Sequence, residues 1–159
     1  MPLLIKLIDH PSVSISVPAL RTIGNVVSSD QAEISNAAIE AGIVPLLATL
    51  LDHPKPILRK ECTWTLANVL AESVENVKMC LQANIIQGLI LHLQHDMDMV
   101  RRECVWALTN SIQKATPELC SQIIDQKFFT ACNYALELKD LRIVSVALEG
   151  ILIALDKGQ

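Results

Sequence analysis

The stretch KECTWTLAN at 60–68 returns as RECVWALTN at 102–110, with Glu, Cys, Trp, Leu and Asn in the same places. These two stretches hold both tryptophans of the chain, each followed four residues later by an asparagine. The echo extends outward. LIDHP at 7–11 returns as LLDHP at 50–54, and LHLQHD at 91–96 takes the same place in a third unit. Asn25, Asn68 and Asn110 are spaced by 43 and 42 residues, and Gly150 falls 40 further on. A chain that repeats at this interval without strand-like alternation is made of helical units that bury their apolar faces only by stacking on one another.

Punctuation divides each unit. VPLLATLLDH (44–53) reads as a helix entered through Pro45 and broken by HPKP, since proline cannot continue a helix. PILRKECTWTLANVLAES (56–73) reads as a long helix and VENVKMCLQAN (74–84) as a short one, after which IIQGLILHLQH opens the next unit. MDMVRRECVWALTNSIQKA and TPELCSQIIDQK repeat the pattern, with Thr116 as N-cap and Pro117 at the first helical position. FFTACNYALEL and LRIVSVALEGILIALDKG close the series. Three helices per unit point to armadillo repeats rather than two-helix HEAT repeats. The expectation is an all-α, right-handed α-solenoid of about three and a half repeats, one domain over 1–159 with units near 1–43, 44–84, 85–127 and 128–159. The first unit begins inside its second helix with no polar capping helix before it. That predicts a fragment of a longer array, or an N-terminal end covered by a partner, self-association through this uncapped repeat included.

Composition narrows the function classes. Charges interrupt every apolar run well short of the 18 or so residues needed to span a bilayer, so no membrane role is expected. No secretory signal is read at the start. Cys62, Cys80, Cys104, Cys120 and Cys132 form no CxxC pair and fall at helical apolar positions, which favours buried, reduced thiols in an intracellular compartment. The net charge of −4 disfavours direct nucleic-acid binding and suits a basic partner.

On the long helix, with residues about 100° apart, Leu58, Cys62, Leu66 and Val69 form the core stripe, and Glu61, Trp64 and Asn68 form a separate ladder. Stacking in register sets Trp64 beside Trp106 and Asn68 beside Asn110, with Asn25 ahead of them. A carboxamide presents both donor and acceptor to a passing main chain, whatever its sequence. Neighbouring indoles make slots for long side chains with cationic heads, and Glu61 and Glu103 are placed to accept from those heads. The ligand expected on these grounds is a basic peptide in extended form. The same residues also admit a reading as duplicated core.

These motifs resemble the C-terminal half of the armadillo domain of importin-α, also called karyopherin-α. VPALRTIGNVVSSD (17–30), KECTWTLANV (60–69), LQANII (81–86), RRECVWALTN (101–110) and IVSVALEGIL (143–152) match its segments in order and spacing. The resemblance covers essentially the whole chain. It implies a nuclear import adaptor, shuttling between cytoplasm and nucleus, that grips Lys/Arg-rich nuclear localisation signals at its minor site. Trp64 and Trp106 would hold basic side chains, Asn25, Asn68 and Asn110 the peptide backbone, and Glu61 and Glu103 the Lys or Arg heads. Arg21 stands where a Trp would continue the run, and would end it or salt-bridge to an acidic neighbour. Val27 and Ser28 would line the pocket edge. Val146 and Gly150 replace Trp and Asn in the last unit, so the site would end there. The resemblance also implies importin-β, engaged through a segment this chain lacks, and the nuclear export receptor as partners.

Other constellations are weaker. His10, His53, His92 and His95 sit where second helices end, which a favourable interaction with the helix C-terminus explains. His92 and His95 at i, i+3 lack further ligands for a metal, and neither a cofactor nor a catalytic site is expected. Arg59/Lys60 and Arg101/Arg102 read as a solvated face. The remaining alternatives are a generic armadillo scaffold not dedicated to nuclear import, which would show a basic groove, and an enzyme, which would require a polar cluster not found here.

Overall fold

A computed structural model describes residues 2–29 and 32–158; Met1, Asp30, Gln31 and Gln159 lie outside the described residues, so the quoted segment 17–30 is described as far as Ser29. The described residues form eleven helices in the order α1 (Pro2–Ile8), α2 (Val13–Val27), α3 (Ala32–Glu40), α4 (Ile43–Leu51), α5 (Pro56–Glu72), α6 (Val74–Gln82), α7 (Ile85–His95), α8 (Asp98–Lys114), α9 (Pro117–Asp125), α10 (Phe128–Leu136) and α11 (Leu141–Lys157). Helix lengths cycle as short, short or middle-length, then long, so α3–α4–α5, α6–α7–α8 and α9–α10–α11 are three successive triplets behind the pair α1–α2. The predicted helix spans agree with these to within a few residues, including α5 at 56–72 and α11 at 141–157. The chain is an α-solenoid of armadillo repeats.

The long helices α2, α5, α8 and α11 pack side by side as one layer, and α1, α4, α7 and α10 back it. A single apolar core runs through them, with Leu20, Ile23, Leu47, Leu66, Leu70, Leu89 and Ile112 fully buried. Each such side chain contributes about 1.5–3 kcal/mol by leaving water. α5 and α8 have neighbours on both flanks as well as behind. Their small polar residues Thr63, Thr65, Thr109 and Ser111 are therefore buried too, each spending its hydroxyl on a backbone carbonyl.

Capping follows the sequence. Ser73 Oγ accepts from Asn76 N–H, Thr116 Oγ1 from Leu119 N–H, and Asp140 Oδ1 from the N–H groups of Arg142 and Ile143. All five cysteines are free and buried, and burial pushes their thiols up, Cys80 and Cys132 to about 12. No single described helix is long and apolar enough to cross a membrane.

Two expectations are corrected here. Arg59 and Arg101 are not a solvated face, because their side chains are only 16% and 17% exposed. Arg59 donates to the carbonyls of His53 and Pro54 past the end of α4 and clamps Asp96, at 2.7 and 2.6 Å, from the following repeat. Arg101 donates to Leu93 O in α7 and Tyr134 O in α10, so both arginines staple neighbouring repeats. His10 and His53 turn their rings to the loop that follows rather than to the helix end, each Nδ1 accepting from a backbone N–H, of Ser12 and of Lys55. His92 bridges Asp52 and Asp96 at 3.0 and 2.9 Å.

Candidate functional site

The predicted ladder lies along one face of the long-helix layer. Trp64, Asn68, Trp106 and Asn110 are half-buried and line one cavity of about 330 Å³, together with Ala67, Glu103 and Arg142. A second cavity of about 280 Å³ lies one step toward the N-terminus, lined by Arg21, Asn25, Lys60, Glu61 and Trp64. Eight of the ten residues singled out in the sequence thus border two adjoining cavities that share Trp64. Val27 and Ser28 do not. Val27 is wholly buried in the core, and Ser28 is exposed just past the end of α2, its hydroxyl donating to Asn25 O.

Backbone contacts fix the asparagines. Asn68 Nδ2 donates to Gly24 O at 3.0 Å and Asn110 Nδ2 to Ala67 O at 2.9 Å, each on the preceding long helix. The acceptor is in both cases the residue before the preceding member of the asparagine ladder, so the bond repeats with the helices. One N–H of each amide is spent, and the other N–H and the carbonyl oxygen remain for a ligand. The Trp64 ring lies over Gly24, where a Cβ would come within 2.2 Å of its Cζ3. The ladder stops at α11 for a related reason. A Cβ at Gly150 would come within 2.7 Å of Thr109 Oγ1, and Thr109 instead donates across to Val146 O at 3.2 Å.

The acids separate into two kinds. Glu61 is 1% exposed and takes a bidentate pair from Arg21, at 2.9 and 2.7 Å, with Lys60 Nζ at 3.3 Å. Burial alone would raise its carboxyl, but Arg21 and Lys60 together hold it below the usual range. Glu61 is therefore not free to receive a ligand cation, which corrects the expectation for that residue. Arg21 forms the salt bridge to an acidic neighbour that was one of its two expected roles. Glu103 differs. Its nearest cation is Lys60 Nζ at 3.7 Å, and burial pushes its carboxyl above the ordinary glutamate value despite that charge.

Gly24 and Arg142 were not singled out in the sequence, and Lys60, read there as part of a solvated face, instead lines the groove with its Nζ 3.3 Å from Glu61. The Arg142 guanidinium lies 5.5 Å from the Trp106 ring centroid, within cation–π range. The signal was present, since Lys60, Arg102 and Arg142 all stand four residues before the Trp64, Trp106 and Val146 register position.

The class this architecture defines is the armadillo-repeat binding scaffold. The armadillo/beta-catenin-like repeat family model matches residues 32–71 and 73–110, the spans of α3–α5 and most of α6–α8. Among curated relatives, importin subunit alpha-1a of Oryza sativa subsp. japonica is 35% identical over 77 residues, 48% of this chain and 15% of that protein. Importin subunit alpha-3 of Arabidopsis thaliana is 38% identical over 64 residues, 40% of this chain and 12% of that protein. The similarity is partial, and the matched segment spans less than a sixth of either relative. Among solved structures, an engineered protein superposes with a TM-score of 0.89 at 24% identity, over 98% of this chain and 63% of that one. A designed armadillo repeat protein in complex with the peptide (KR)4 gives 0.87 at 24% identity, over 96% of this chain and 63% of that one. At such identity these two speak for the fold alone.

Proposed function

We propose that the groove across α2, α5, α8 and α11 binds a basic peptide in extended form, as part of a nuclear import adaptor that recognises nuclear localisation signals. The observation that carries this reading is the paired array. Trp64 and Trp106 border one cavity, Glu103 backs it with a carboxylate whose nearest cation, Lys60 Nζ, is 3.7 Å away, and Asn68 and Asn110 are pinned with donor and acceptor to spare. A Lys or Arg stem lies along the indoles, its head meets Glu103, and the amides take the peptide main chain. Asn25 extends the backbone contacts into the neighbouring cavity. Similarity to importin-α subunits supports the assignment to import, and with it the import and export receptors as further partners and a shuttling localisation.

Both tryptophans of the chain border the groove, so intrinsic fluorescence reports binding directly. Titration with a Lys/Arg-rich peptide is expected to shift their emission saturably, and Asn68→Ala with Asn110→Ala to weaken binding at least tenfold, since two main-chain hydrogen-bond pairs are lost. An unchanged emission, or full affinity in the double variant, refutes the reading. One observation favours a generic scaffold as the second reading: Arg21, Lys60 and Arg142 place three cations on the groove walls beside Glu61 and Glu103.

A further inference from the structure

Charge alternates along the groove rather than accumulating as acid. Between α2 and α5 the cavity walls carry Arg21, Lys60 and Glu61, two cations to one anion. Between α5 and α8 Glu103 is the acid, in a cavity bordered by both indoles that it shares with Arg142, and Lys60 Nζ is 3.7 Å from it. At α11 the wall carries Arg142, exposed and resting on Trp106. Among the described residues no carboxylate forms an ion pair with that guanidinium. Asp140, two residues earlier, accepts from the Arg142 backbone N–H through Oδ1 and faces Arg102 with Oδ2 at 3.5 Å.

We infer that Arg142 determines the specificity of this groove, selecting peptides in which the basic residue held at Glu103 is accompanied, about three residues along, by an acidic side chain. The inference rests on the peptide reading above and names the charge pattern of its ligand. Packed helices stand about 8–10 Å apart and an extended chain advances about 3.3 Å per residue, so neighbouring layers meet residues three apart. A side chain three positions from the cation at Glu103 therefore arrives at α11, against Arg142. A second Lys or Arg there meets a like charge and finds one face of Trp106 already occupied. A Glu or Asp meets a planar fork whose two parallel N–H groups match a carboxylate. Stacking on Trp106 restricts the arginine before the ligand arrives, which lowers the entropy lost on pairing.

Three peptides of equal length separate the possibilities: an unbroken Lys/Arg run, and two copies with one central basic residue retained and a Glu placed three positions to its N-terminal or C-terminal side. Calorimetric titration against the wild-type chain is expected to show one Glu-bearing peptide binding about 2–5-fold tighter than the basic run, the range of an exposed ion pair. Arg142→Ala should remove that advantage and Arg142→Glu should reverse it, with circular dichroism confirming that α11 remains folded. Equal or tighter binding of the basic run to the wild type, or an advantage that survives in Arg142→Ala, overturns the inference while leaving the peptide groove standing. Failure of all three peptides to bind overturns both.

Discussion

Gly24 seats the first aromatic rung, and its importance lies in what it lacks. With Trp64 Cζ3 2.2 Å from where a Cβ would stand, Gly24→Ala must drive the indole off its helix or push α2 and α5 apart. Overpacking of this kind costs about 1–3 kcal/mol. The variant is expected to unfold at lower urea, to change its tryptophan emission before any ligand is added, and to lose peptide affinity. Glu103 makes the second argument at this scale. Burial has raised its pKa, so the ionised form costs the fold stability that either protonation or a ligand cation restores. A cation binds only the ionised form, so affinity is present above the raised pKa and is lost as pH falls through it. Binding of a basic peptide should therefore weaken at higher pH than an ordinary glutamate near 4.3 would produce. Titrations stepped from pH 7.5 to 5 check this, and Glu103→Gln should flatten the profile.

Repetition within the helical elements explains why so much was legible in the sequence. Proline and the DHP breaks mark where second helices stop, and the heptad-like spacing of Leu58, Cys62, Leu66 and Val69 marks the buried side of α5, so helix spans and core stripe followed from one chain. The partners of charged residues did not follow. Nothing local to Glu61 shows that Arg21, 40 residues earlier, lies one layer away, or that Arg59 reaches Asp96 in the next repeat. The junctions between the short first and second helices show a further device: Gly42, Asn84 and Lys127 each directly precede a second helix with φ of 85°, 57° and 72°. Glycine adopts this region freely and asparagine tolerates it, but lysine is strained there. Lys127→Gly should raise stability by about 0.5–1 kcal/mol, the relief of strain exceeding the added freedom of the unfolded chain. A higher urea midpoint at unchanged slope is the expected result.

A solenoid's stability is a sum of units and of the contacts between neighbours, so one register position has a different worth in different layers. The position two residues after the asparagine ladder shows it. Val27, Leu70 and Ile112 are fully buried there, whereas Leu152, at the same position on α11, is 68% exposed. The same comparison explains why Val27 belongs to the core and not to the pocket edge: it occupies the register of Leu70 and Ile112. Leu70→Ala removes a side chain enclosed by packed neighbours and leaves a cavity, at a cost of about 2–5 kcal/mol. Leu152→Ala shortens a side chain already in water and should change stability by no more than about 0.5 kcal/mol. Chemical denaturation of the two variants is a direct test of stacking as the source of stability. Intrinsic helix propensity cannot produce the contrast, because both substitutions replace leucine with alanine inside a seventeen-residue helix and should raise it equally. Equal costs at the two sites would therefore mean that the layers are not held together by the register contacts described.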